Sequence, residues 1–519
     1  YDTFPTDGDM LARIRQGMRA MLRPTLAALL LLAAPAGAQN LRVGLNVDAD
    51  VLDPTLGRTL VGRVVFAGLC DKLFDIDEAQ RIVPQLATGY RWDDPRTLTI
   101  TLREGVRFHD GEVMTAEGVA YSLNRHLTMP GSFRRSEIAA MGAVEVVDPR
   151  TVRIRLREPF APFVSQLTDR AGMIVSPRAA EAAGANFGAR PVCAGPMRFT
   201  ERVAQGRIVL DRFPEYWDAA RIHLQRVTYS ILTDNTARVA NLRAGALDLI
   251  MGVEPEDLPA IRRDPRLRTA VFDGLGYWGI TYNLGHGPRA DTPFGRDRRV
   301  REAFELALDR AVASQVVYEG AYLPTAQAIP PSSPFHIRDF APEPRNLARA
   351  RQLLAEAGVR TPVPVELTVP NTPDRRQVAE VIQAMVREAG FDLRINAMEF
   401  ATSLQAAARG EFDLYYSGWS GRVDPDGNTW TFIHSAGAQN DGRYASAEAD
   451  RLLDAARVET DAVRRRELYA GLWQVALRQD RSRLYLWHDK HVLAHTARLS
   501  GLRQAPDGLV RLQDLRLQQ

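Results

Sequence analysis

Between residues 363 and 419, strand-like and helix-like stretches alternate: VPVELTVP, DRRQVAEVIQAMVREAG, FDLRINAM, ATSLQAAARG and FDLYYSGW. The strand-like pieces are short runs rich in Val, Leu, Phe and Tyr, while the pieces between them repeat apolar residues at helical spacing. Strands joined by crossover helices pair in parallel, because each helix has to pack back onto the sheet. This rhythm commits the second half of the chain to an α/β layer. Ahead of it, DRRVREAFELALDRAVASQVV reads as one long amphipathic helix with Val300, Ala303, Phe304, Ala307 and Leu308 on one face. NLARARQLLAEAGV reads as another, ended by Gly358 in the left-handed conformation.

Before residue 270 or so the texture differs. LRVGLNV opens with a strand, Leu98, Ile100 and Leu102 alternate as in a half-buried strand, and Thr115 N-caps a helix over 116–126. AVEVVDPRTVRIRLREP and GPMRFTERVAQGRIVLDRFPEYWD are strand-turn-strand patterns. At the other end, AEADRLLDAARVETDAVRRRELYAGLWQVALRQ is helical and LYLWH closes as a strand. A chain of 519 residues exceeds one ordinary core, so two or three lobes are expected. Its 66 basic and 63 acidic side chains leave a net charge of +3, which excludes the concentrated positive charge of a nucleic-acid or polybasic membrane binder. Lysine occurs only at Lys72 and Lys490, and the abundance of Arg reads as genomic bias.

MLRPTLAALLLLAAPAGAQN has a basic start, an apolar run from Leu26 to Ala34, and Ala36-Gly37-Ala38 before Gln39. That is the layout of a secretory signal peptide cleaved after Ala38, with the residues before Met21 read as upstream translation. The apolar run is about half of the ~20 residues that span a bilayer. No Cys follows the cleavage point, so an exported, soluble, unanchored protein is expected. Cys70 and Cys193 are the only cysteines. Export places them where disulfides persist, and both a single bridge and two separate buried thiols stay open.

An ordered set of motifs resembles one family, the extracytoplasmic solute-binding proteins of ABC importers in the peptide, nickel and opine class (family 5). These are PQLATGYRW, LTITLREGVRFHDGEVMTAEGVAYSLNR, CAGPMRF, FPEYWD, LRAGALDLI, YNLGHGP, VREAFELALDR, LLAEAG and FDLYYSGWSGRVDPDG. The resemblance implies an α/β, periplasmic-binding-protein-like two-lobe fold (class II type) with a small domain inserted in the N-terminal lobe. Lobe I would take 40–82, 190–270 and 486–519, the inserted domain 83–189, and lobe II 271–485. It also implies a periplasmic monomer without cofactor, metal or catalytic group, closing on a small polar or peptide-like ligand and delivering it to permease subunits in the inner membrane. An exported hydrolase that kept the fold and a ligand sensor for a membrane receptor are the alternative readings.

GWSGR approaches the G-x-S-x-G nucleophile elbow, but Arg422 takes the final Gly position and VDPDG opens no helix, so Ser420 is not expected to be a nucleophile. DPDGN lacks the spaced oxygens and the closing Glu of a calcium loop. His488, His491 and His495 lie in a strand-and-turn pattern that scatters them instead of gathering them on a metal. The expected ligand contacts are polar or aromatic groups at strand ends: Trp419, Ser420, Arg422, Asp424 and Asp426, then Tyr277, Trp278 and Asn283, then Asn371 and Thr372. Trp430, Trp473 and Trp487 are expected in the core. In peptide-binding relatives an Asp of this loop meets the ligand's α-ammonium. Arg422 stands there instead, Asp424 serving only with a shifted loop, and an Arg favours an anionic group over an ammonium; internal pairing with Asp424 or Asp426 is the competing role.

Overall fold

The computed structural model describes residues 39–518, Asp489 excepted, and Asn40–Gln518 form one compact unit. The signal-peptide reading lies outside the described residues. Among those described, no helix is long and apolar enough to cross a membrane.

Two large sheets organise the molecule. The first has seven strands in the order Leu267–Asp273, Lys490–Thr496, Leu249–Met251, Asn40–Leu45, Arg226–Ile231, Arg207–Arg212, Met197–Val203. Its central strand Asn40–Leu45 is parallel to both neighbours. The buried Leu41, Val43 and Leu45 pack with the helix Leu60–Leu69, whose Val64, Val65 and Phe66 are fully enclosed. The second sheet has six strands in the order Leu323–Pro324, Arg483–His488, Tyr277–Tyr282, Leu414–Trp419, Val363–Pro370, Phe391–Met398. The last three are joined in parallel through the helices Pro373–Arg387 and Phe400–Ala408, as the alternating rhythm requires. A third, four-stranded antiparallel sheet covers Ala87–Leu156 and has its own core around Leu98, Ile100, Val152 and Ile154.

The chain passes between the two large sheets twice. Leu267–Asp273 lies in the first and Tyr277–Tyr282 in the second; Arg483–His488 lies in the second and Lys490–Thr496 in the first. The crossings run side by side, since Asp273 is opposite Lys490 and Trp278 opposite Trp487. Lys490 Nζ reaches Asp273 at 2.6 Å, and His488 Nδ1 meets the Gly276 carbonyl at 2.8 Å.

Several local expectations need correction. The long helix expected over 297–317 is two helices, Arg298–Leu306 and Arg310–Tyr318, because Asp309 caps the second by accepting from the Val312 amide. A helix does follow the DPDG turn: Asp426–Ile433 starts immediately after Pro425. Part of the 83–189 stretch (Met173, Val175, Ala180 and Phe187) packs into the first sheet's core. Cys70 and Cys193 are joined by a disulfide within that core.

Candidate functional site

A cavity of about 220 Å³ lies between the two large sheets. From the first sheet it is walled by Asn46, Thr59, Val61, Glu254 and His491, and from the second by Trp278, Thr372, Asp374 and Arg375. Trp278 leaves the first crossing onto a strand whose neighbour carries Gly418. A Cβ at Gly418 would sit 2.6 Å from the indole, so only glycine lets the ring lie flat there. The indole stacks on Tyr416 at 5.2 Å and carries the Arg375 guanidinium 3.5 Å above its face. Arg375 belongs to the first turn of the helix Pro373–Arg387. Its Nη1 donates to Tyr318 Oη at 2.6 Å and its Nε lies 3.1 Å from Asp374. Asp374 also accepts from Thr372 Oγ1 at 2.6 Å. Opposite, Arg238 spends its terminal nitrogens on the carbonyls of Leu232, Thr233 and Gly252, which fixes the loop that presents Glu254. Burial, then the Asp374 carboxylate from the facing sheet, pushes Glu254 up to about 7. The cavity thus offers an aromatic floor, a positive group and two acids that repel one another.

The GWSGRVDPDGNTW loop closes a different place. Gly421 has φ +75°, and a Cβ on it would come within 2.2 Å of the Leu275 carbonyl carbon, so the loop backs directly onto the first crossing. Asp424 is held by both terminal nitrogens of Arg465 at 2.7 Å each. Asp426 is held by Arg457 at 2.7 and 3.1 Å and by Gln166 Nε2 at 3.2 Å. Neither acid pairs with Arg422. That guanidinium lies 4.4 Å over the Trp419 ring and places Nε 2.8 Å from Asp169. Arg63 reaches the same carboxylate at 3.0 Å and donates from Nη1 to Ser420 Oγ at 3.1 Å. Burial pulls Arg422 down to about 9 against the attraction of Asp169. Burial alone would raise Asp169; Arg422, Arg63 and Arg170 hold it well below the usual carboxylate range.

Of the residues singled out in the sequence, Trp278 and Thr372 line the cavity. Trp419, Ser420 and Arg422 form the seam beside the first crossing. Asp424 and Asp426 are engaged by Arg465 and Arg457. Tyr277 is fully buried, packed on Tyr485 at 4.8 Å. Asn283 is a loop clamp, donating to the carbonyls of His286, Gly410 and Phe412. Asn371 is exposed and engages through its backbone amide, 2.6 Å from the Met398 carbonyl. Trp473 and Trp487 are fully buried, and Trp430 packs under Arg457 at 3.7 Å. His488, His491 and His495 each face a backbone carbonyl, and no group of three metal-ligating side chains occurs among the described residues. Sequence reasoning missed Arg375, Asp374, Glu254, Arg63 and Asp169. The available signal was an Arg enclosed by apolar residues, as in LVGRVVF, and charges at a helix start just after a strand, as in VPNTPDRR.

Two α/β halves joined by paired crossings around a polar-aromatic cavity define a two-lobe solute-binding protein. The family model for bacterial extracellular solute-binding proteins, family 5 middle, matches residues 81–440, and the chain belongs to that family. It is a solute-binding component of the kind that serves ABC-type import. Among relatives, the glutathione-binding protein GsiB of Salmonella typhi is 27% identical over 494 residues, covering 92% of this chain and 94% of that one. The fold is shared with DppA of Helicobacter pylori in complex with peptide STSA (TM-score 0.85, 23% identity, 93% of this chain and 99% of that one). It is shared too with AgaA of A. tumefaciens R10 in complex with agropinic acid (TM-score 0.84, 24% identity, 92% and 99%).

Proposed function

We propose that this chain captures a small peptide-like polar solute in the periplasm, after cleavage of a signal peptide at Ala38, and hands it as a monomer to the permease of an ABC importer. The observation that carries the reading is the cavity of about 220 Å³ walled from both sheets beside the paired crossings. Lobe I gathers 40–82, 190–273 and 490–518, lobe II gathers 277–488, and 83–189 is inserted into lobe I. Bending at the crossings opens and closes the cavity, the hinge motion by which binding energy becomes a docking signal. Trp278 gives a rigid apolar face, Arg375 receives a carboxylate, and Glu254 with Asp374 receives an ammonium or amide donor. Nothing in this role needs a nucleophile: Ser420 Oγ accepts from Arg63 and has no histidine partner in its hydrogen bonding.

Small zwitterions and short peptides with acidic groups suit the wall, and the GsiB likeness makes glutathione a natural probe. The test is a calorimetric and thermal-shift screen of the mature chain with dipeptides, glutathione and opines. At least one should bind saturably and raise the melting temperature by mass action, with the ligand recovered intact. Recovery of hydrolysed ligand would overturn the reading in favour of an enzyme.

A further inference from the structure

The helix Ala447–Val458 belongs to the half built on the second sheet, since its Leu452, Leu453 and Ala456 pack with Tyr277, Trp419 and Tyr485. The last carbonyls of a helix have no partner within it. One of them, the Arg457 carbonyl, accepts from the Ala161 amide at 2.8 Å. Ala161 comes from the 83–189 stretch, so the end of this helix is capped from the other side of the molecule. The Arg457 side chain makes the same crossing. Its Nη2 donates to the Ser136 carbonyl at 3.4 Å, and its guanidinium lies 5.1 Å from the Phe160 ring. Phe160 is 3% exposed and meets Phe163 edge-on in the core of the four-stranded sheet. Gln166, of the same stretch, donates from Nε2 to Asp426 Oδ2 at 3.2 Å. On its own side the guanidinium is already fixed. Asp426 takes Nε at 2.7 Å and Nη2 at 3.1 Å, and the group stands 3.7 Å over the Trp430 ring.

These contacts differ from scaffold in what parting them would leave behind. Water can serve a helix-end carbonyl, a backbone amide and a side-chain amide, and Arg457 keeps Asp426, so no charge is stranded. A guanidinium held in advance also loses little freedom each time the contact forms again. None of these residues lines the cavity. Met173, Val175 and Phe187 tie the 83–189 stretch to the core of the first sheet, so it moves with that half. We infer that this contact is a latch: the domain of the four-stranded sheet clasps Arg457 when the halves close and releases it when they part. The latch sets how much of the protein is closed without touching the solute, which makes Phe160, Gln166 and Arg457 positioning residues for capture. The inference rests on the capture reading for the bending at the crossings.

The test needs no solute. Val147→Cys in the strand Met141–Asp148 and Val463→Cys on the helix Ala462–Leu472 give exposed sites for a pair of spin labels, one on each side. The native cysteines are joined to one another and take no label. Pulsed dipolar spectroscopy of the mature chain should show a short-distance, closed population. Gln166→Leu and Phe160→Leu should each lower the closed-to-open ratio about 3- to 10-fold. Arg457→Gln should lower it at least as much, and Arg457→Lys, which keeps a charge for Asp426, should fall between. Phe160→Leu should lose most of its effect in the Arg457→Gln background, a non-additivity that a general loss of stability does not produce. If Arg457→Gln does not fold, Arg457→Lys takes its place in that cycle. A wild type without a closed population, a wild-type ratio in both Gln166→Leu and Phe160→Leu, or full additivity would overturn the latch. If a dipeptide, an opine or glutathione closes wild type and variants alike, the latch fails and capture stands. If the variants open the molecule while none of these solutes binds, the latch stands and capture fails.

Discussion

The cavity wall and the GWSGRVDPDGNTW loop carry similar residues, Trp, Arg and Asp, yet use them differently. In the loop each acid has a dedicated arginine: Asp424 has Arg465, and Asp426 has Arg457. These pairs sit mostly out of water, so their job is to fix the loop against the helices behind it. In the wall, Asp374 and Arg375 pair with one another, but Glu254 faces that pair across the gap and is pushed up by burial first and by Asp374 second, against the pull of Arg375. Acids that are each matched to an arginine make scaffold, whereas a wall that keeps a repulsive contact across a gap is poised for a guest.

Exchanges in the two regions should therefore separate stability from affinity. The largest effect is expected from Arg465→Gln, which strands Asp424 at 12% side-chain exposure; denaturant melts should show a loss of about 3–5 kcal/mol. Equal stability to wild type would remove the scaffold half of the comparison. Next is Glu254→Gln. A carboxyl raised from 4.5 to about 7 in the folded state makes the unfolded chain bind fewer protons between those values, so stability falls as pH rises across that window. The amide removes this slope. Melts of both proteins at pH 4.5 and 7.5 should show the variant gaining relative to wild type by up to about 3 kcal/mol at the higher pH. The difference between the two proteins is the readout, because Asp71 rises to about 7 as well and buried His109 and His126 fall to about 4. Trp278→Ala should cost roughly 10- to 100-fold in solute affinity, about 1.4–2.7 kcal/mol, in calorimetry. If it shifted only the melting temperature, Trp278 would move to the scaffold side. Smallest is Ser420→Ala, which removes one acceptor from Arg63 and should cost about 1 kcal/mol in melts with little change in affinity.

The sequence carried the architecture well and the site poorly, for identifiable reasons. The strands Val363–Pro370, Phe391–Met398 and Leu414–Trp419 were legible because their apolar runs and intervening helices follow periodic rules. Trp278 and Thr372 were legible as polar or aromatic groups at strand ends. The single long helix expected around Leu308 failed because one side-chain cap at Asp309 outweighs a continuous apolar stripe. Asp424 and Asp426 looked available because their partners, Arg465 and Arg457, lie some 30 to 40 residues away and only folding brings them in. Glu254 and Arg375 meet through tertiary structure alone. Treating the many arginines as genomic bias also hid the few that are enclosed, Arg63 among apolar neighbours being the plainest.

The position of Lys490–Thr496 has a consequence for the order in which this molecule can be completed. That strand lies between Leu249–Met251 and Leu267–Asp273, both made more than 200 residues earlier, and pairs with each. Until it emerges, Leu267–Asp273 has no partner in the first sheet and the Leu249–Met251 edge stays open. The first sheet is thus completed only after the strands of the second have been made, waiting on Lys490–Thr496. A nascent chain held uncommitted for so long suits passage across a membrane before folding, and a truncation shortly before Lys490 would damage the earliest-made strands most.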